Sequence, residues 1–322
     1  MPIHPAVSAR FHHLEGITSF REAFSNPAQR EQIHQFDSWD PETAPPVVTT
    51  TTNSVPGPHG PVPVRIYGPA GGSTTGRPAL VWAHGGGFLG GDLDMREADW
   101  TAREVSRRAG AIVVSVDYRL AVNDVHFPVP HDDVVATISW TRDHAENLGI
   151  DPTQLSVGGA SAGGNLAAGA VLRLRDRDGW LPAGLVLAYP TLHPVIPSLS
   201  PGLTTALREV PQLLRMTPAD AMHLHTNYLG GPPSSANGYA MPGIAVVDGL
   251  CPTLILNAEY DDLRASGEAF TASLARAGVD VRQVTVRGML HAFLNLPAEL
   301  GPVGHSLDLI AETIGAPPVD RT

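Results

Sequence analysis

No lysine occurs among the 322 residues, so the 21 residues of the Lys and Arg total are all arginine. That absence excludes a Schiff-base lysine, the lysine of a phosphate-binding loop and a Ser-Lys dyad. Cysteine is nearly absent as well. The single Cys251 cannot form an intrachain disulfide or a site of several thiolates, and ahead of Pro252 at the start of an apolar run it is expected to be a buried structural thiol. Basic runs are missing, and the formal net charge is -11, so the phosphate-neutralising stripe of a nucleic-acid binder is not there. No stretch reaches the ~18 uninterrupted apolar residues of a membrane span, and Met1-Pro2-Ile3-His4-Pro5 lacks a positive patch followed by an apolar core. The expectation is a soluble, cytoplasmic chain without nucleic-acid partners.

What is present is a chain that can bury a core: 43% of its residues are hydrophobic and 16% charged. Its 33 glycines and 30 prolines are spread along the length and punctuate many short elements. Phe11, Leu14, Ile17, Phe20, Phe24, Ile33, Phe36 and Trp39 recur at three- and four-residue spacings, which predicts short amphipathic helices up to Pro41. Beyond them, 47–52 and 62–67 read as β-branched strands around a turn-rich 56–60. Strands at 79–83, 111–116, 154–158, 185–188, 253–257 and 281–286 then alternate with helices at 98–109, 134–148, 162–175 and 265–277. Continuous apolar strands separated by helices predict an α/β protein with a mostly parallel sheet of about eight strands, covered on both faces.

One interval breaks that rhythm. The stretch 192–248 is far longer than the usual link of ~2 to 6 residues between strand and helix, and is expected to be an insertion with its own structure. The predicted organisation is therefore N-terminal cap helices at 1–45, a first part of the core at 46–191, a cap insertion at 192–248 and a second part of the core at 249–322. The caps are expected over the carboxyl edge of the sheet, where open α/β folds bind ligands.

Gly159-Ala160-Ser161-Ala162-Gly163 fits a nucleophile elbow, in which a strand ends in a serine on a strained turn before a helix begins. Roughly 0.2 such matches per chain of this composition arise by chance, so the motif counts only in its strand-turn-helix context. His84-Gly85-Gly86-Gly87-Phe88, directly after the strand 79–83, is sharper, with roughly 0.015 chance occurrences. Residues without side chains let backbone amides face a carbonyl oxygen as it gains charge. A phosphate-cradling reading fails for want of the lysine and the following Ser or Thr.

A serine hydroxyl needs a base to take its proton and an acid to orient that base. Asp261 follows the strand 253–257 and His291 follows the strand 281–286, in loops just past the same sheet end as Ser161. The order Ser, Asp, His is the one the α/β-hydrolase fold requires. Asp262 is a rival for the acid. Other polar groups have structural readings: Asp132-Asp133 as carboxylates opening a helix, and Asp117-Tyr118-Arg119 as a strand-end brace. His12-His13 and His223-Leu224-His225 lack an accompanying carboxylate or cysteine pattern, so no metal site is expected.

Together these segments resemble the hormone-sensitive-lipase-like family of α/β-hydrolases, the bacterial carboxylesterase branch. The resemblance rests on 84–87, on Val116-Asp117-Tyr118-Arg119-Leu120-Ala121, on 159–165, on Glu259-Tyr260-Asp261-Asp262-Leu263-Arg264 and on His291-Ala292-Phe293, and runs from about residue 45 onward. It implies Ser161 as nucleophile, Asp261 and His291 as triad partners, and the amides of Gly86, Gly87 and Ala162 as oxyanion donors. A helical cap shaping the acyl and alcohol pockets is implied too, and no cofactor. The chain departs from the family pattern at Ala160, at Val122-Asn123, at Asp262 and at Ala265 and Ser266. The expected activity is hydrolysis of small, short-acyl esters through an acyl-enzyme, with lactone or amide cleavage as the nearest alternative. A non-catalytic binding protein on the same fold is the distant one, disfavoured because His291 is present. The oligomeric state is left open.

Overall fold

The β-branched and apolar runs form a single sheet in the computed structural model, which describes residues 2–19, 23, 25–39, 44–71 and 75–315. Among these residues eight strands occur: β1 (Val48–Val55), β2 (Val62–Pro69), β3 (Arg77–Ala83), β4 (Ile112–Val116), β5 (Ile150–Ala160), β6 (Leu185–Ala188), β7 (Thr253–Tyr260) and β8 (Val281–Leu290). Their order is β1-β2-β4-β3-β5-β6-β7-β8. The β1/β2 and β2/β4 pairs are antiparallel and the rest parallel. This is the mostly parallel α/β sheet expected.

Helices α1 (Pro5–Ser8) and α2 (Pro27–Asp37) precede the sheet. Phe20, Phe24 and Pro41, which helped to predict this region, lie outside the described residues. Between the strands run α3 (Arg96–Ala109), α4 (Val129–Asp143) and α5 (Ala162–Asp178); α6 (Pro201–Ala206) and α7 (Pro218–Leu229) lie in the long interval between β6 and β7; α8 (Arg264–Arg276) and α9 (Gly301–Gly315) follow. Helix α4 starts at Val129 rather than at 134, because Pro130 tolerates a first-turn position whose N–H has no intrahelical acceptor. Helix α9 was not anticipated, although Val303, Leu307, Ile310 and Ile314 carry a three- and four-residue apolar spacing.

Alternation along the strands splits the core in two. Leu80, Trp82, Val113, Val186 and Leu254 face α3 and α9, which contribute Val105, Leu307 and Ile310. Val81, Val114, Val157, Leu187 and Ile255 face α4, α5 and α8 through Val134, Leu166 and Phe270. Each strand thus buries successive residues on opposite faces. Strand order reverses between β3 and β5, which places a crevice at the carboxyl ends of those two strands. Among the described residues no helix is long and apolar enough to cross a membrane.

Candidate active site

Strand β5 ends at Ala160 and α5 begins at Ala162, which leaves Ser161 alone in the turn at φ 51° and ψ -114°. A non-glycine residue held there costs about 1–3 kcal/mol, and its N–H is pinned by donation to the Ala188 carbonyl at 2.8 Å. Glycine is required beside it. A Cβ on Gly163 would stand 2.0 Å from the Ala83 oxygen, and one on Gly159 would stand 2.5 Å from the Gly163 carbonyl. Helix and strands therefore meet backbone to backbone, which is what aims the serine out of the crevice.

Three strand ends converge on that hydroxyl. Asp261 follows β7 and His291 follows β8, and their side chains meet Ser161 in a continuous chain. Ser161 Oγ lies 3.0 Å from His291 Nε2, and His291 Nδ1 lies 2.7 Å from Asp261 Oδ2. The other carboxylate oxygen of Asp261 accepts the Leu263 N–H at 2.9 Å. Nδ1–H donating to the carboxylate leaves Nε2 as the acceptor facing the serine. Burial alone would depress the imidazole, but the Asp261 charge, its hydrogen bond and the Asp262 charge raise His291 above the ordinary histidine value. The Tyr189 ring packs against the imidazole in a T-shaped pair, centroids 5.0 Å apart, and limits its swing.

The glycine run sits at the end of β3, across the crevice. Gly86 has φ 119°, and a Cβ there would fall 2.0 Å from the Gly90 oxygen. Among the described residues the amides of Gly86, Gly87 and Ala162 donate to no other group of the chain, the condition for hydrogen bonds to something placed between them.

The chain is similar to known proteins. A family model described as alpha/beta hydrolase fold matches residues 80–295. Carboxylic ester hydrolase LipN of Mycobacterium tuberculosis is 36% identical over 256 residues, 77% of this chain and 65% of LipN. Esterase LipI of the same organism is 32% identical over 294 residues, 90% of this chain and 85% of LipI. The chain belongs to the hormone-sensitive-lipase-like carboxylesterase family of α/β-hydrolases. Among solved structures, an esterase of Pyrobaculum calidifontis superposes on this family member with TM-score 0.81 at 30% identity, covering 98% of both chains. The match to LipN spans just under two thirds of that relative's length.

The structure of this α/β-hydrolase separates the two candidate acids. Asp262 turns away from His291 and takes a bidentate pair from Arg215 of the insertion, with Nε and Nη2 each 2.7 Å from a carboxylate oxygen. Ser266, another departure from the family pattern, accepts the Leu192 N–H at 3.0 Å and lies 2.8 Å from His193 Nδ1. Both positions therefore fasten the insertion to the loop and helix that carry Asp261.

The remaining polar groups behave structurally. Tyr118 Oη donates to the His84 carbonyl at 2.8 Å and the two rings stack. Asp133 accepts from the Arg119 N–H and guanidinium, and Asp132 pairs with Arg173 and His59. Asp132 lies in the first turn of α4, as expected, and the two carboxylates carry these ion pairs besides. His225 is buried, 2.7 Å from Thr191 Oγ1, while its neighbour Leu224 packs against Gly87. Cys251 is buried, as expected.

Glu97, on α3, was missed. Its fully buried carboxylate accepts the Gly85 N–H at 2.8 Å and the Trp82 indole N–H at 2.7 Å. Burial pushes the acid up to about 7 against those two bonds. The Glu97 N–H in turn donates to Asn295 Oδ1 at 3.0 Å, and Asn295 Nδ2 donates to the carbonyl of Ala292, next to His291. One residue thus links the glycine loop to the histidine loop. A signal existed: Glu97, Thr101 and Val105 share the buried face of α3, where an unpaired carboxylate is out of place.

Proposed function

We propose that the chain is a serine hydrolase of small, short-acyl carboxylic esters, acting through an acyl-enzyme on Ser161. His291 Nε2 takes the hydroxyl proton as Oγ attacks the ester carbonyl. The negative charge that develops on the carbonyl oxygen is received by the amides of Gly86, Gly87 and Ala162. His291 returns the proton to the departing alcohol. Water then repeats the sequence and releases the acid, leaving Ser161 as it began. Asp261 keeps the imidazole in the tautomer that accepts from serine and stabilises its charged form.

The observation that carries this reading is the hydroxyl-imidazole-carboxylate chain at 3.0 and 2.7 Å. The names of the relatives, carboxylic ester hydrolase and esterase, supply the reaction class. Residues 1–45 and 192–248 act in this reading as the cap. Leu214 and the N-terminal Val7, Phe36 and Trp39 line a cavity beside His291, and Leu224 packs against Gly87. The enzyme works in the cytoplasm, in keeping with a single buried cysteine.

The test compares wild type and Ser161→Ala on 4-nitrophenyl butyrate, with a graded panel of esters, lactones and amides for the wild type. A rate at least 10³-fold lower in the variant is expected, with esters the fastest class. Equal rates for the two proteins would remove Ser161 from the chemistry.

A further inference from the structure

The cavity beside His291 has a volume of 390 Å³, and its wall is largely apolar: Val7, Trp39, Leu214, Leu290, Phe293 and Leu296. One arginine interrupts that wall. Arg96 opens helix α3, and its guanidinium carbon lies 3.9 Å from the centre of the Trp100 ring. Its Nε and Nη2 are buried and, among the described residues, have no hydrogen-bond partner. Arg103, Arg108, Arg119 and Arg215, by contrast, each pair with a carboxylate.

Buried donors without acceptors are costly, and stacking on an indole does not satisfy them. Burial pulls this guanidinium below the ordinary arginine value, opposed only by the charge of Glu299, which is itself exposed. Asp37 also lines the cavity, but it is exposed to solvent and gives those nitrogens no acceptor. Whatever completes Arg96 must therefore bring its own acceptor oxygens on an apolar body. Nε and Nη2 have no surface open to the cavity, so a ligand meets them only when the guanidinium swings off the Trp100 ring; the planar fork then fits a carboxylate at two points, and the 390 Å³ space admits a short chain or one aromatic ring behind it.

We propose that Arg96 is an anion-binding subsite of this cavity and that the preferred substrates are esters carrying a carboxylate. The substrate assignment rests on the ester-hydrolase reading above; the anion site rests on Arg96 itself. The carboxylate can sit on either side of the scissile bond, and matched probes separate the two. The mono-4-nitrophenyl ester of glutaric acid against 4-nitrophenyl pentanoate places the charge on the acyl side. 4-Acetoxybenzoate against methyl 4-acetoxybenzoate places it on the alcohol side.

In Arg96→Gln the ratio of kcat/KM for the anionic over the neutral ester should fall about tenfold or more in one arm, mainly through KM. Arg96→Lys should keep part of it, since it retains the charge without the fork. Because each ratio is taken within one protein, partial misfolding does not imitate the result. An unchanged ratio in both arms overturns the proposal. A second readout does not depend on turnover: titration of tryptophan fluorescence, with Trp39 on the cavity wall and Trp100 under the guanidinium, using hexanoate and hexanamide. Wild type should bind hexanoate more tightly, and Arg96→Gln should lose that preference. Equal binding of the two by wild type sinks the anion site. If wild type cleaves none of the esters yet prefers hexanoate, the ester-hydrolase reading fails while the anion site stands.

Discussion

At the scale of single residues, two adjacent aspartates have different partners. Asp261 faces the imidazole and Asp262 faces Arg215, so one substitution acts on rate and the other on stability. Asp261→Asn should cost roughly 10⁴ in kcat, because an amide no longer enforces the required tautomer. It should also move the acid limb of kcat/KM downward. In wild type that limb lies above the ordinary histidine value, and activity falls as pH drops through it and the base protonates; without the Asp261 charge the imidazole loses what raised it. Asp262→Asn should keep most of kcat and lower unfolding stability by about 3 kcal/mol, since it leaves Arg215 without its counter-charge. A pH-rate profile and a denaturant melt of both variants check this, and the reverse ranking would reassign the acid. Chain order and strand-end position made Ser161 and His291 legible, but they could not divide neighbours on one loop. Their separate partners do: His291 for Asp261, and Arg215, 47 positions away, for Asp262.

Among elements, the strands and helices around the crevice were readable because apolar runs and glycine breaks mark each of them. What was not readable is the tie between elements. Glu97 on α3 reaches back 12 positions to Gly85 and, through Asn295, across 198 positions to the histidine loop. No local pattern encodes a contact of that span. Glu97→Gln offers an amide N–H where two donors already point, so one of the Trp82 and Gly85 bonds is lost. The expected outcome is a loss of about 1–3 kcal/mol in stability and a fall in kcat larger than the change in KM. The pH dependence of melting should change too. With the folded acid raised from 4.5 to about 7, the native state holds the proton more tightly than the unfolded chain. This group's contribution is present below about 4.5 and lost as pH rises through 7; the Gln variant should lack that slope.

For the molecule as a whole, the doubly wound sheet followed from the alternation of elements, and the long interval holds α6 and α7 between β6 and β7. Where that interval packs was not legible, because its apolar residues are scattered: Leu203, Leu207 and Val210 join one half of the core, Leu192, Tyr228 and Met241 the other, and single polar side chains are the anchors in between. Arg215 is the strongest of them. It holds the insertion to the loop that bears Asp261, and its Nη1 also donates to the Leu207 carbonyl at 3.0 Å. The stretch 211–220 around Arg215 has no buried residue, and such a segment opens at lower temperature than the sheet. When this one lifts, Asp262 loses the guanidinium that holds it and its neighbour shifts from the imidazole. Heating should therefore silence the catalyst before it melts: remaining turnover should drop several degrees below the circular-dichroism midpoint, and cooling from that window should restore it. Coincident curves would mean that the strap and the scaffold let go together.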